Sequence, residues 1–196
     1  MDIRNPGICP HAAITPGKCR SALVFRRSLC YNFHVGGICM TKICVFSDSH
    51  GYGDNMARVM EAEQPDMVLH LGDGASDFIR LQQQFPGPEY HGVQGNCDYR
   101  PTVPKKLCLT VEHVQIFAAH GHAYQVKLDP TLTRLRYAGL EAQAQAVLFG
   151  HTHIPRLEQL QGMTILNPGS IGRTPRPSYG ILLVDGDTVR AELKQL

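Results

Sequence analysis

The stretch Ile43-Cys44-Val45-Phe46-Ser47-Asp48-Ser49-His50-Gly51 decides the fold, because it joins an apolar run to a turn that carries an aspartate and a histidine. Its four apolar residues predict a buried strand. Asp48 and His50 follow that strand, and a carboxylate and an imidazole two positions apart suit a metal ion with mixed oxygen and nitrogen ligands. A turn aspartate beside a surface histidine gives the same triplet, so the rest of the chain must decide between these interpretations.

The pattern after this stretch alternates strands and helices, which predicts an α/β domain. Two helices are predicted after the first and second strands, and the second of them covers residues 78–84. The apolar face of the first consists of Met56, Val59 and Met60. A third helix is predicted to begin near Asp129-Pro130, with proline at an early helical position, and to present three leucines: Leu132, Leu135 and Leu140.

Further apolar runs predict strands at residues 67–71, 90–93, 107–109, 114–117 and 146–149. The polar pair Glu112-His113 separates the runs 107–109 and 114–117, which predicts that these two strands form an antiparallel hairpin. The tail, residues 157–166 and 179–193, is typical of antiparallel strands joined by turns at Gln161-Gly162 and at residues 185–188. The sequence therefore predicts one sheet of mixed direction or two packed sheets.

Five of the predicted strands end in loops with metal-competent side chains. These side chains are Asp48 with His50, Asp73, Asn96, His120, and His151 with His153. In α/β sheets ligands collect beyond the carboxyl ends of the strands, so we expect all five loops on one rim. Seven ligands are too many for one ion and suit two, provided that Asp73 bridges them. Alone, Gly72-Asp73-Gly74 or Gly95-Asn96 is an ordinary turn. The paired histidines are harder to explain as ordinary turns, because two of these loops hold four of the chain's ten histidines.

Composition and charge describe one globular domain. The chain has 196 residues, enough for a substantial core without disulfides. Residues 1–39 hold five basic side chains and one acidic one, whereas the rest holds 14 basic and 16 acidic ones. This mildly acidic body disfavours binding of long nucleic acid, and no apolar run is long enough for a membrane span. The seven scattered cysteines form no C-x-x-C pair, which predicts free thiols and a cytoplasmic location.

Residues 1–39 differ from the rest of the chain, because proline and glycine interrupt them repeatedly and no periodicity is present. We predict a poorly ordered N-terminal extension at residues 1–39 and a single domain at residues 40–196. Met40 directly precedes the first predicted strand, which favours Met40 as the true start of the protein. The arginines and the near absence of acidic residues also fit an organelle transit peptide.

The motifs D-x-H, G-D, G-N-x-D, H-G-H and G-H-T-H, in this order, resemble those of the calcineurin-like metallophosphoesterases and cover most of residues 40–172. The segment Ile165-Leu166-Asn167-Pro168-Gly169-Ser170 resembles the one that closes the site in the small, single-domain YfcE-type branch. The resemblance implies an α/β fold, a four-layer α/β/β/α sandwich with two mixed sheets. It also implies two divalent ions, one held by Asp48, His50, Asp73 and His153 and the other by Asp73, Asn96, His120 and His151.

The implied function is hydrolysis of a small phosphodiester or nucleotide by a hydroxide that bridges two ions roughly 3.5 to 4 Å apart. We expect Mn²⁺, although the ligand types also admit Zn²⁺, Fe²⁺, Co²⁺ and Ni²⁺. Arg173 and Arg176, which follow the closing segment, are expected to meet a substrate phosphate or the solvent. The alternatives are a phosphomonoesterase or nuclease on the same site and a protein-binding scaffold of the same fold. Homo-oligomerisation is left open.

The catalytic residues implied are the ligands Asp73 and Asn96 together with His122. His122 is a candidate proton donor, or it supports its loop. Cys97 occupies a position at which many relatives have a histidine as candidate general acid, and a thiol with a pKa of about 8.5 is a poor substitute. Asp98 is expected to orient Asn96 or its loop, or else to lie in a surface turn.

Overall fold

In the computed structural model the described residues are 40–99 and 103–196, together with the backbone of a strand at residues 22–24. Two sheets pack face to face, and α-helices cover the outer face of each sheet. This arrangement confirms the predicted four-layer α/β/β/α sandwich. No helix in the described residues is both long enough and apolar enough to cross a membrane.

The five-stranded sheet is built around β2 (Thr41–Phe46). Strand β3 (Met67–His70) pairs with β2 in parallel, and β4 (Glu89–Gly92) pairs with β3 in parallel. On the other side, β10 (Ser178–Asp185) runs antiparallel to β2, and β11 (Thr188–Gln195) runs antiparallel to β10. The carboxyl ends of β2, β3 and β4 therefore lie at the same edge of the sheet.

The six-stranded sheet has the order β1-β5-β6-β7-β9-β8. Its strands are β1 (Ala22–Val24), β5 (Lys106–Val111), β6 (Val114–Ala119), β7 (Ala146–Phe149), β8 (Arg156–Leu160) and β9 (Met163–Asn167). Strands β6, β7 and β9 are parallel to one another, whereas β5 and β8 run antiparallel to their partners β6 and β9. The predicted hairpin and the antiparallel tail strands are confirmed.

Alternation of side chains along β2 explains the layers. Because successive residues of a strand point to opposite faces, Ile43 and Val45 enter the core between the two sheets. Cys44 and Phe46 enter a second core, which lies between the five-stranded sheet and its helices. All four residues are fully buried, so the apolar run that predicts this strand is explained by burial on both faces.

Within the described part of the chain, three α-helices form the outer layers. Helices α1 (Gly53–Glu63) and α2 (Ala75–Gln84) cover the five-stranded sheet, and α3 (Thr133–Glu141) covers the six-stranded one. A short 3₁₀-helix at His122–Tyr124 follows β6. The predicted apolar face of α1 is confirmed, because its three residues are buried: Met56, Val59 and Met60.

Helix α3 begins at Thr133, later than the predicted start near Asp129-Pro130. Asp129 forms a turn instead, because its carboxylate accepts hydrogen bonds from the backbone N–H groups of Thr131 and Thr133 at 3.0 and 2.8 Å. Aspartate side chains commonly bond to nearby backbone in this way, in competition with helical hydrogen bonding. The two residues after Pro130 therefore lead into the helix rather than belong to it.

The buried face of α3 differs from the predicted one at a single residue. Leu132 and Leu135 are buried as predicted, but Leu140 is 49% exposed, so its predicted place in the core is wrong. Gly139 occupies the inward position, four residues after Leu135. A Cβ atom at Gly139 would collide with the side chain of Val147, which explains why the smallest residue lies there.

Strand β1 is an element that the sequence pattern did not predict. Its residues pair in parallel with residues 108–110 of β5, at the edge of the six-stranded sheet. The other residues of the range 1–39 lie outside the described residues. The predicted extension and the predicted start at Met40 concern those residues.

We expect Leu135→Ala to lower the free energy of unfolding by about 3 kcal/mol, because it leaves a cavity under α3 in a fully buried position. The matched change Leu140→Ala should lower it by less than about 1 kcal/mol, because this side chain is half exposed. Urea unfolding followed by circular dichroism measures both values. Equal losses in the two variants would contradict the described orientation of α3.

Candidate metal centre

The seven predicted ligands all follow strands whose carboxyl ends lie at one edge of the sandwich. They come after β2, β3 and β4 of one sheet and after β6 and β7 of the other. Five of them have a positive φ, between 47° and 69°: Asp48, His50, Asp73, His151 and His153. Residues other than glycine rarely adopt this conformation, and it is concentrated at functional sites. The loops turn sharply here and direct the side chains of both sheets toward each other.

Asp48 is fully buried, and its two carboxylate oxygens have different surroundings. Oδ2 accepts hydrogen bonds from the hydroxyl of Ser47 at 2.5 Å and from the N–H of His151 at 3.0 Å. Oδ1 accepts no hydrogen bond from the described residues, but it lies 3.0 Å from Nε2 of His153 and 3.8 Å from Nε2 of His50. A buried carboxylate oxygen without a donor is costly, and a cation at this point would satisfy it.

Asp73 lies between His50 and His120. Its Oδ2 is 4.0 Å from Nε2 of His50 on one side and 3.3 Å from Nε2 of His120 on the other. Its Oδ1 accepts a hydrogen bond from the backbone N–H of Cys97 at 2.7 Å. Burial opposes ionisation, but the nearby imidazole of His120 and the hydrogen bond from the Cys97 N–H hold the pKa of Asp73 below its usual range. Asp73 is therefore a carboxylate within reach of both histidines.

His120 presents one ring nitrogen to this site. Its Nδ1 donates a hydrogen bond to the carbonyl oxygen of Leu71 at 2.7 Å, which leaves the lone pair on Nε2. Nε2 lies 3.1 Å from Oδ1 of Asn96. The ring of His151 is 5.0 Å from that of His120, measured between centroids, and burial together with the nearby His120 lowers the pKa of His151 to about 4. A neutral imidazole is the form that binds a metal ion.

Two groups of three donors thus lie side by side, each with its ligand atoms within 4.8 Å of one another. One group is Asp48, His50 and His153, and the other is Asp73, His120 and His151. Asn96 adjoins the second group through His120. The oxygen and nitrogen ligand atoms and the unsatisfied Oδ1 of Asp48 fit divalent cations.

Two glycines of the motifs let neighbouring loops approach closely. A Cβ atom at Gly95 would collide with the carboxylate of Asp73, and one at Gly150 would collide with the hydroxyl of Ser47. In each case the glycine directly precedes a candidate ligand, Asn96 or His151. These glycines are therefore explained by the space that the neighbouring side chains occupy.

Asp98 ties two of the loops together. Its Oδ1 accepts the backbone N–H groups of Gly74 and Ala75, both at 2.9 Å, and its Oδ2 accepts those of Asp73 and Gly95 at 2.9 and 2.8 Å. Burial opposes ionisation, but these four donors hold the pKa of Asp98 below its usual range. Asp98 therefore holds the backbone of its own loop at Gly95 and that of the loop of Asp73.

Three further residues support the loops of the site. Buried Asp77 accepts hydrogen bonds from the Ser49 hydroxyl and the Gly51 N–H, both at 2.7 Å. Asn167, within the predicted closing segment, donates to the carbonyl oxygen of Gly150 at 3.0 Å and to the Thr152 hydroxyl at 2.9 Å. The hydroxyl of Ser170 donates to the carbonyl oxygen of Asp48 at 2.8 Å. Asp77 was missed from the sequence, because its position resembles an ordinary first-turn helix aspartate.

The other predicted site residues fall into two groups. His122 and Cys97 lie at the site. The centroid of the His122 ring is 5.5 Å from that of His120, and Cys97 Sγ lies within 4.8 Å of a ring nitrogen of His50 and a carboxylate oxygen of Asp73. Arg173 instead contacts Tyr52, with 3.4 Å between Nη1 and the phenol oxygen, and Arg176 is exposed in the same loop. Within the described residues, neither arginine contacts one of the seven predicted ligands.

Known proteins are similar to this chain in sequence and in fold. The family model of the calcineurin-like phosphoesterase superfamily domain matches residues 41–188. The chain is 35% identical over 157 residues to the probable metallophosphoesterase YsnB of Bacillus subtilis, covering 76% of this chain and 88% of YsnB. It is 32% identical over 103 residues to the phosphodiesterase YfcE of Escherichia coli, covering 46% of this chain and 50% of YfcE.

The fold is also similar to that of vacuolar protein sorting 29 from Cryptosporidium parvum, with a TM-score of 0.65 and 17% identity. That comparison covers 80% of this chain and 98% of the other. At this identity the similarity concerns the fold alone.

We expect Asp98→Asn to lower the free energy of unfolding by about 2 to 4 kcal/mol at pH 7, because an amide has one acceptor oxygen for four N–H donors. The folded-state pKa of Asp98 lies below its unfolded value, so this stabilisation is present above about pH 4 and is lost as the pH falls below it. The difference from wild type should therefore shrink between pH 7 and pH 3, as measured by urea unfolding.

The matched control is Asp187→Asn in the exposed turn between β10 and β11, which should leave the stability unchanged at either pH. A difference between wild type and Asp98→Asn that stays constant from pH 7 to pH 3 would contradict the role of the Asp98 charge.

Proposed function

Because the chain belongs to the calcineurin-like phosphoesterase superfamily, we propose that it is a metal-dependent phosphodiesterase that hydrolyses small phosphodiesters. The observation that carries this proposal is the position of Asp73, a buried carboxylate with an imidazole nitrogen near it on either side. The unsatisfied Oδ1 of Asp48 supports it, since a buried negative charge at this point calls for a cation.

The residues proposed to hold two divalent ions follow the two donor groups, with Asp73 as the shared ligand. The first ion is assigned to Asp48, His50, Asp73 and His153. The second is assigned to Asp73, Asn96, His120 and His151. Mn²⁺ is proposed for both positions, because imidazole combined with carboxylate and amide oxygens suits manganese, while the same donors also accept Zn²⁺, Fe²⁺, Co²⁺ and Ni²⁺.

When bound, such ions supply positive charge that lowers the pKa of water and stabilises the phosphoryl oxygens in the transition state. The protein's part is to fix the ligands. His120 is oriented by the carbonyl oxygen of Leu71, and Asp48 is oriented by Ser47 and by the N–H of His151. Asp73 is held through the N–H of Cys97, so its Oδ2 stays directed between the two groups of histidines.

His122 and Cys97 are the groups proposed as candidates to exchange a proton with a leaving alcohol. His122 has a buried Nδ1 without a hydrogen-bond partner in the described residues. Cys97 Sγ accepts a hydrogen bond from Nδ2 of Asn96 at 3.1 Å. Burial and the nearby His120 lower the pKa of His122, and a thiol is a weak acid at neutral pH, so we propose that protonation of the leaving group contributes little.

We propose a diester rather than a monoester as the substrate, because part of the sequence is similar to YfcE, which is named a phosphodiesterase. A nuclease on the same site is a weaker alternative, because the body of the chain is mildly acidic. The other alternative is a protein-binding scaffold of the same fold. Against a purely scaffolding role, all seven expected ligands are present.

We expect Asp73→Asn to reduce manganese-dependent hydrolysis of bis(4-nitrophenyl) phosphate by at least about 100-fold, because the amide cannot supply the shared negative charge. The assay uses metal-stripped protein with Mn²⁺ added back, and 4-nitrophenyl phosphate is run in parallel to rank diester over monoester. Asp187→Asn, which makes the same change in an exposed turn, should retain full activity. Folded wild-type protein that stays inactive with every divalent metal would favour the scaffold.

We also expect the turnover rate to depend steeply on the leaving group. Across a series of aryl and alkyl diesters, kcat should rise strongly as the pKa of the leaving alcohol falls, because Cys97 gives little acid assistance. Cys97→His should flatten this dependence by supplying a group with a pKa of about 6.5. A flat dependence in wild type would show that an effective general acid is present.

A further inference from the structure

A cleft of about 310 Å³ opens beside the donor groups, at the start of α2. Its walls include His50 and Asp73 of the candidate metal centre, and also Ser76, Arg80 and Tyr99. Small-molecule sites are typically concave spaces of at least about 300 Å³, so the cleft has the size of a small binding site. A phosphodiester held at the centre therefore has room here for one of its two substituents.

The charged groups in this part of the cleft disfavour a second phosphate. Asp98 is saturated by four backbone donors, and Asp77 is paired with Arg80 while it accepts hydrogen bonds from the loop of residues 49–51. Two carboxylates against one guanidinium leave net negative charge beyond the donor groups. An uncharged substituent fits these surroundings better than an anionic one.

Tyr99 offers an unoccupied aromatic surface in the cleft. Its side chain is 96% exposed, and it makes no hydrogen bond or ring contact with the described residues. Its backbone directly follows Asp98, whose hydrogen bonds fix the loop beside Asn96. Exposed aromatic side chains bind nucleobases by stacking, which contributes about 1 to 3 kcal/mol per base. A single exposed aromatic residue is common on protein surfaces, but Tyr99 lines a cleft shared with Asp73.

We infer that this cleft binds one substituent of the phosphodiester and that Tyr99 determines specificity by stacking on an aromatic ring of that substituent, such as a nucleobase. This inference rests on the proposed function, because that function places the phosphate at the donor groups. The substrate class is then a nucleotide diester with a single phosphate, rather than a polyphosphate or a diester of small alkyl alcohols.

The test compares two ligands that share a ribose 5-phosphate and differ in the base: adenosine 5′-monophosphate and ribose 5-phosphate. Isothermal titration calorimetry of the manganese-loaded full-length protein measures the binding of each. Wild type should bind adenosine 5′-monophosphate about tenfold more tightly, which corresponds to about 1.4 kcal/mol. In Tyr99→Ala this ratio should fall to about one through weaker binding of the nucleotide alone, and Tyr99→Phe should keep it.

The matched control is Tyr137→Ala, which removes a tyrosine that is 68% exposed on α3, and it should leave the ratio unchanged. Equal affinities of wild type for the two ligands, no binding of either one, or a preference that persists in Tyr99→Ala would overturn the inference. Because binding is measured without turnover, a protein that discriminates the base but cleaves no diester would reject the proposed hydrolysis and keep the base-binding cleft.

Discussion

Burial of two carboxylates, Asp48 after β2 and Asp73 after β3, is the constraint on which the rest of the structure depends. Both side chains are almost completely buried, and one oxygen of Asp48 has no hydrogen-bond donor among the described residues. Negative charge in such a position is tolerated only where cations or donors compensate it. The sandwich brings imidazoles from the second sheet against these carboxylates, with His153 near Asp48 and His120 near Asp73. The same contact that joins the two sheets therefore creates a candidate binding site for divalent cations.

Several side chains near Asp48 and Asp73 form hydrogen bonds with the loops that carry the candidate ligands. Asp98 collects four N–H groups, Asp77 holds the loop of residues 49–51, and Asn167 holds the loop of His151. Their function is indirect, since a ligand that moves by a fraction of an ångström no longer suits its ion. The positive φ angles of five candidate ligands have the same explanation, because only sharp turns direct donors from both sheets to one place.

Local patterns in the sequence predicted the strands and the seven candidate ligands at their ends, whereas the four layers were implied by the resemblance to a known family. An apolar run followed by a polar turn predicts a strand and the residue at its end. Asp77 was out of reach, since its partner Ser49 lies 28 residues away and only the packing of α2 brings them together. Leu140 was assigned wrongly because a leucine in a helix does not reveal which face is covered, and the contact between Gly139 and Val147 decides that here. Strand β1 lacked any periodicity from which to predict it, since its place depends on pairing with β5, over 80 residues away.

The central claim, that two cations share Asp73, is tested most directly by anomalous diffraction from crystals of the wild-type protein soaked in Mn²⁺. The account predicts two anomalous peaks, one beside Asp48, His50 and His153 and the other beside Asn96, His120 and His151, with the carboxylate of Asp73 between them. A single peak that excludes Asp73, or two peaks without Asp73 as a common ligand, would contradict it.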